Sequence, residues 1–278
     1  MKLKKMPSPA MLLRRKGPDE HVLLETEQKF ILSDQSDFFI REAYKTLRTN
    51  VTFSLAGEDG GKGVIVTSAM KSEGKSITSL NLAISYAQMN KRVLLVDCDL
   101  RRPKVSRLLD IRSSVGLSNV LVSPELKEKA ILDTRIPGLQ VILAGDVPPN
   151  PSELLGSPRM QRLVEEMREK YDYIILDTSP VNMVTDASVL IPYCDGVLLV
   201  VRAGQSDRGA LRSAVDQLEY SQAKILGFVL NGVDLERRGK YGYRKYRRYG
   251  YSRGYGYGYG YGYGYGYTSR GNGNQEYQ

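Results

Sequence analysis

From Val64 onward the chain repeats one alternation: a short run of consecutive apolar residues, then a longer stretch with apolar positions three and four apart. The runs Val64–Ser68, Val93–Asp97, Leu139–Leu143, Tyr173–Asp177, Val197–Val201 and Ile225–Leu230 predict short buried strands. Several are nearly continuous in Val, Ile and Leu, the pattern of a sheet with helices on both faces. The segments Ser76–Met89, Arg159–Lys170 and Arg208–Tyr220 have helical length and spacing. Another helix is predicted from Phe38, where Ile40, Ala43, Tyr44, Leu47 and Val51 form one apolar stripe, and Gly57, Gly60, Gly61 and Gly63 end it. Strands alternating with helices predict the α/β class: a doubly wound, mostly parallel sheet flanked by helices.

The two ends break the pattern. Residues 1–36 carry charges and prolines with little periodicity and read as a loosely structured N-terminal arm, leaving residues 37–234 as the folded domain. After Leu235 Arg and Lys crowd the stretch to Arg253, and Tyr and Gly then alternate strictly from Tyr255 to Tyr267. Glycine at every second position raises the entropic cost of fixing the backbone, and no aliphatic residues supply a core to offset it. Residues 235–278 therefore read as a disordered tyrosine-rich tail.

Composition removes several kinds of chemistry. Cys98 and Cys194 form no CxxC pair and His21 is the only histidine, which argues against a Cys/His zinc site and against Ser-His-Asp or Cys-His triads. No HRD or DFG run marks a eukaryotic-type kinase. Sparse cysteine suits a reducing compartment. No apolar run approaches the roughly 18–20 residues that cross a bilayer, and Met1–Lys5 is basic without a following apolar segment, so the expected location is cytoplasmic. The formal net charge of +9 over 278 residues lies largely in the tail. It fits nucleic acid, an anionic surface or an acidic partner, and does not choose among them.

The strongest chemical signal is Ala69-Met70-Lys71-Ser72-Glu73-Gly74-Lys75-Ser76, directly after a predicted strand and opening a helix. It matches the phosphate-binding loop GxxxxGK[ST] except that Ala69 replaces the first glycine. Such a loop points backbone N–H groups at phosphate oxygens, and the helix N-terminus adds a favourable dipole. Ser72, Glu73, Gly74, Lys75, Ser76 and Ile77 are thus the expected nucleotide contacts, with Lys75 on the β and γ phosphates and the Ser76 hydroxyl on Mg²⁺; the cofactors are ATP and Mg²⁺. Asp97, Asp99 and Asp177 stand at the ends of apolar strands, where open α/β sheets bind ligands. Three acids opposite such a loop suit Mg²⁺ coordination and activation of an attacking hydroxyl, although each alone could equally cap a helix. Asn231, after the last strand, is a candidate adenine contact or simply a turn residue.

With the loop, Leu94–Arg101 and Ile174–Asp177 in this order, the chain resembles the bacterial tyrosine kinases of capsule and exopolysaccharide export. These are relatives of the MinD/ParA partitioning ATPases. Glu42–Arg48 and Pro148–Leu155 match the same family, and the resemblance covers about Phe38 to Asp234. It implies that Asp97 activates a tyrosine hydroxyl while Asp99 and Asp177, with Ser76, serve the metal. Two departures stand out: Lys71-Ser72 replaces the common Pro-Gly, and Met70 occupies the place of the extra lysine of partitioning ATPases. The segment Glu42, Lys45, Arg48 corresponds to the family's ExxRxxR, which mediates ring assembly between subunits. Here Lys45 replaces an arginine, and the three side chains are expected on one helical face, as a solvated face or an interface.

The resemblance also implies a separate membrane adaptor that activates the kinase, a protein-tyrosine phosphatase, and protein substrates in polysaccharide synthesis. Tyr255, Tyr257, Tyr259, Tyr261, Tyr263, Tyr265 and Tyr267 become the expected autophosphorylation sites, each phosphate adding roughly −1.5 to −2 charge. Stacking of the tail on single-stranded nucleic acid is the second reading. The function expected is an ATP-dependent protein-tyrosine kinase regulating capsular or exopolysaccharide synthesis. The alternatives are a MinD/ParA-like partitioning ATPase and a nucleotide-regulated nucleic-acid-binding module.

Overall fold

The computed structural model describes residues 28–57 and 60–233. Helix α1 (Phe38–Ser54) begins where the Asp37 carboxylate accepts the Phe39 N–H at 2.7 Å, and it leads into β1 (Lys62–Ser68). Then come α2 (Lys75–Ala87), β2 (Val93–Asp97), the short α3 (Val105–Leu109), α4 (Leu117–Val122) and α5 (Lys127–Ala130). Next are β3 (Ile131–Asp133), β4 (Leu139–Ile142), α6 (Pro151–Leu155), α7 (Pro158–Lys170) and β5 (Tyr173–Asp177). A 3₁₀ turn (Ser188–Tyr193), β6 (Gly196–Arg202), α8 (Arg208–Tyr220) and β7 (Ile225–Asn231) complete it. The seven strands form one sheet in the order β3-β4-β2-β5-β1-β6-β7. All pairings are parallel except β3 with β4.

Successive residues of a strand face opposite sides, and here both sides are covered. Ile65, Leu94, Ile174, Leu176, Val197 and Leu199 pack against α4, α7 and α8. Their neighbours Val64, Val66, Leu95, Ile175, Leu198 and Val200 pack against α1, α2 and α3. This is the doubly wound sheet expected from the continuous apolar runs. The predicted strands match to within two residues, whereas β3 was not anticipated: three residues at an antiparallel edge carry no run to read.

The apolar stripe of α1 is realised in part. Val51 and the following Leu55 are buried, and Tyr44 and Leu47 pack partly against the same core, but Ile40 and Ala43 are exposed. Residues 28–36, read as part of a loose arm, are anchored on α2. The Leu32 N–H donates to Asn81 Oδ1 and Asn81 Nδ2 donates to the Phe30 carbonyl, both at 2.8 Å, with Leu32 itself buried.

At the other end of the sheet from the phosphate-binding loop, Arg168 of α7 staples three elements. Its guanidinium donates to the Gly61 carbonyl (2.8 Å), Asp195 Oδ2 (2.8 Å) and the Tyr193 carbonyl (3.0 Å), while the Gly63 N–H reaches the same Asp195 oxygen at 2.7 Å. This fixes where β1 starts, and hence where it delivers the loop that follows. Among the described residues no helix is long and apolar enough to cross a membrane. The tyrosines from Tyr255 to Tyr267 lie outside the described residues.

Candidate active site

Strands β2 and β5 are direct neighbours, and their last residues, Asp97 and Asp177, are register partners. On the other side of β5 runs β1, which ends in the phosphate-binding loop. Parallel pairing therefore brings both acids and the loop to one sheet edge, the carboxyl end, where such folds bind ligands.

The loop is built around two left-handed residues. Gly74 has φ 98° and caps α2; a Cβ there would lie 1.9 Å from Asn231 Nδ2. Ser72 has φ 67°, so the position at which the resembling family carries glycine keeps glycine's conformation here with a serine. Buried Glu73 folds back inside the loop: one carboxylate oxygen accepts the Met70 N–H at 2.9 Å, and the other accepts the Ser206 hydroxyl. Arg202 and Asn231 brace the loop from behind, donating to the carbonyls of Ser72 (3.2 Å) and Glu73 (3.0 Å). Asn231, expected near an adenine, thus has its amide nitrogen on the loop backbone.

Lys75 is the first residue of α2 and is buried. Its ammonium donates to Asp99 Oδ2 at 2.8 Å. Burial alone would lower its pKa, but the carboxylates of Asp177, Asp99 and Asp97 outweigh that and hold it above the ordinary lysine value. Asp99 Oδ1 accepts the Ser179 hydroxyl (2.8 Å) and the Arg102 N–H (3.1 Å). Asp97 Oδ2 accepts the N–H groups of Lys104 (3.2 Å) and Val105 (3.1 Å), so the acid also caps α3, while Oδ1 accepts the Asp99 N–H at 3.2 Å. Complete burial, with repulsion from Asp177, pushes its pKa up to about 8.

Asp177 is fully buried, and burial also raises its pKa, against the pull of the Lys75 charge and the hydroxyls of Ser76 and Ser79. Its Oδ1 accepts the Ser79 hydroxyl at 3.1 Å, and its Oδ2 accepts no hydrogen bond among the described residues. A buried carboxylate oxygen left open is costly unless a ligand completes it. Among the described residues no three acids, histidines or cysteines converge as a ready-made metal cage. Mg²⁺ takes one or two carboxylates and fills its octahedron with water and phosphate oxygens. The open Asp177 oxygen, the neighbouring Ser76 hydroxyl and the glycine-capped helix N-terminus fit a magnesium nucleotide.

Four participants escaped the sequence reading. Asp186 is fully buried and receives Arg101 Nε (2.9 Å) and Nη2 (3.2 Å), the Ser152 hydroxyl (2.5 Å) and the Ser179 hydroxyl (3.1 Å). Arg101 and Ser152 lie within the motifs Leu94–Arg101 and Pro148–Leu155, which signalled a family without assigning them roles. Asp186 and Ser179 sit in the loop after β5, and only the fold brings them to Asp99.

Glu42, Lys45 and Arg48 do not share a face. Six residues advance a helix by about 600°, so the first and last of them diverge by about 120°. Glu42 and Lys45 form an exposed pair at 2.7 Å, whereas Arg48 Nη1 turns inward to the carbonyl (2.6 Å) and hydroxyl (3.2 Å) of Ser85 on α2.

Comparison with known proteins agrees with this geometry. A family model described as an AAA domain matches residues 63–222. Tyrosine-protein kinase YwqD of Bacillus subtilis (strain 168) is 38% identical over 223 residues, spanning 80% of this chain and 90% of its own. The kinase domain of Escherichia coli tyrosine kinase ETK superposes with a TM-score of 0.68 at 33% identity, covering 80% of each chain. MinD of Pyrococcus horikoshii OT3, solved with Mg-ADP, has a TM-score of 0.53 at 22% identity over 61% of this chain and 70% of its own, a likeness of fold alone.

Proposed function

This chain belongs to the bacterial tyrosine kinases, and from that premise we propose that it transfers the γ-phosphoryl group of ATP to tyrosine hydroxyls, first of all those of its own tail. The observation that carries the reading is the cluster at the sheet edge: a buried lysine on Asp99, with Asp97 and an open Asp177 oxygen beside it.

The roles follow from placement. The N–H groups at the start of α2 and the Lys75 ammonium hold the phosphates and stabilise the charge that gathers on them during transfer. Ser76 and Asp177, with Asp99 as a further ligand, would hold Mg²⁺, which would supply positive charge to the transferring phosphates. Asp97 takes the tyrosine proton as the phenolic oxygen forms its bond to the γ phosphorus and the bond to the β–γ bridging oxygen breaks. Tyrosine has a pKa of about 10, so a carboxylate raised to about 8 is a stronger base than an ordinary one once ionised, and transfer should quicken as pH rises toward 8. Glu73, Arg202 and Asn231 keep the loop in the binding conformation.

Regulation of capsular or exopolysaccharide synthesis, assembly into a ring of copies, activation by a separate membrane adaptor and reversal by a protein-tyrosine phosphatase belong to the same proposal; they rest on the family resemblance. With Arg48 held by Ser85, the exposed Glu42 and Lys45 are the residues of that segment available to a neighbouring copy.

The test is to incubate the purified full chain with ATP and Mg²⁺ and map phosphotyrosine by mass spectrometry, beside Lys75→Met and Asp97→Ala. Phosphate on residues 255–267 that vanishes in both variants is the expected result. An adaptor fragment should raise turnover, and equal rates with and without it would remove the adaptor from the account.

A further inference from the structure

We propose that Asp186 is a positioning residue for phosphoryl transfer, holding Arg101 directly and Asp99 through the Ser179 hydroxyl. The inference rests on the kinase reading for its chemistry, though its geometry stands independently.

Asp186 is a carboxylate with no exposed surface, in a loop whose other buried members are small or apolar. Burying a carboxylate costs stability unless it is paired and hydrogen-bonded, so one held by three donors in such a place calls for a role beyond packing. Its contacts are specific. Arg101 approaches side-on through Nε and Nη2, the two-point geometry that fixes the plane of a guanidinium. Arg101 lies two residues after Asp99, so fixing its side chain also fixes the turn that presents Asp99. Ser152 on α6 donates to Asp186 and also accepts Arg101 Nη2 at 3.1 Å, closing a triangle.

Ser179 completes the link. Its hydroxyl oxygen lies between two carboxylates, 2.8 Å from Asp99 Oδ1 and 3.1 Å from Asp186 Oδ2, with a single proton to donate. The one proton is shared in a three-centre bond weighted to the nearer Asp99 oxygen. Asp186 keeps the hydroxyl from turning away, and the hydroxyl in turn sets the carboxylate plane of Asp99. The opposite oxygen of Asp99 then meets the Lys75 ammonium at 2.8 Å. A chain of direct contacts thus runs from α6 through Asp186 and Ser179 to Asp99 and Lys75. Arg101 stays 40% exposed at the mouth of the site, its Nη1 making no hydrogen bond among the described residues.

The experiment uses the full chain with Asp186→Asn, Ser179→Ala and the double variant. ATP turnover, tyrosine phosphorylation and Mg-ADP affinity by fluorescent-nucleotide displacement are measured for each. Partners that orient ligand-bearing groups typically carry 10- to 100-fold effects, so Asp186→Asn should lower kcat by at least about 10-fold. KM for ATP and Mg-ADP affinity should stay within about twofold, because the loop keeps its own braces from Glu73, Arg202 and Asn231, and Lys75 keeps Asp99 Oδ2 as its partner. Ser179→Ala should have a similar effect, and the double variant should be little worse than either single one, as for residues acting in one chain. A half-exposed Arg101 can rehydrate, so folding should survive; Ser179→Ala removes only one oxygen and tests the link even if Asp186→Asn fails to fold. Wild-type kcat in Ser179→Ala, multiplicative losses in the double variant, or a fall in Mg-ADP affinity matching the fall in kcat would overturn the proposal. Absence of phosphotyrosine in the wild type would count against the kinase reading alone, and the ratio of ATP turnover between variant and wild type would still decide the role of Asp186.

Discussion

Replacing Lys75 by methionine should weaken the nucleotide-free protein strongly at pH 8 and much less at pH 6. The ammonium sits 2.8 Å from Asp99 Oδ2, with only 10% and 7% of the two side chains exposed, and Asp97 and Asp177 also face it. Removing it leaves Asp99 without its paired cation and takes a nearby positive charge from Asp97 and Asp177. Breaking a buried pair by deleting one partner costs about 3–5 kcal/mol, a large share of the roughly 5–15 kcal/mol that holds a domain together. A proton can replace the lost charge. The pKa of Asp97 already stands at about 8 and that of Asp177 is raised, and both must rise further without the ammonium. A carboxyl whose folded pKa exceeds its unfolded value loses its contribution as pH climbs between the two. At pH 6 the variant's cluster binds more protons than the wild type's, and the deficit shrinks by about 1.4 kcal/mol per pH unit for each extra proton held. Urea unfolding of wild type and variant at both pH values gives the four free energies needed. Adding Asp99→Asn to Lys75→Met should recover part of the loss at pH 8. Equal deficits at the two pH values, or a larger one at pH 6, would refute the reasoning.

Other consequences follow from single contacts. Gly61→Ala places a Cβ 2.1 Å from the Tyr171 carbonyl and 2.7 Å from that of Arg168, both backbone atoms that cannot step aside, and should cost about 1–3 kcal/mol in urea unfolding; a neutral result would show the β1 entrance to be pliant. Ser72→Gly relieves a left-handed serine at φ 67° and should raise stability by about 0.5–1 kcal/mol, seen as a Tm increase, whereas a lower Tm would mean that the serine side chain itself holds the loop. In the wild type, Asp97 at about 8 against an ordinary 3.8 means that the folded state binds the extra proton. Stability should then decline by up to about 1.4 kcal/mol per pH unit from pH 6 to 8, and the decline should flatten in Asp97→Ala; a rise over that range would contradict the assignment.

The sheet was readable because β1, β2, β5 and β6 are continuous apolar runs that leave no alternative to double burial. The loop and the acids at strand ends were readable for a related reason: a strand end is a place that sequence can mark. What escaped lacks such a marker. Asp186 stands in a loop with nothing periodic around it, and it reaches Asp99 only because β5 lies next to β2. Arg48 was grouped with Glu42 and Lys45 by spacing, yet a helix rotates it toward α2, where Ser85 waits. Asn231 was placed at the correct sheet edge, but its partner, the Glu73 carbonyl, is a backbone atom that no residue pattern reveals.

The most direct test of the central claim compares two products in one reaction. The chain of 278 residues, ATP and Mg²⁺ are mixed, and ADP released and phosphotyrosine formed are quantified over the first turnovers. Transfer to tyrosine predicts that the two rise together, nearly mole for mole, and that both collapse in Lys75→Met. ADP accumulating without phosphotyrosine would mean that water is the acceptor and that the site belongs to a nucleotide hydrolase.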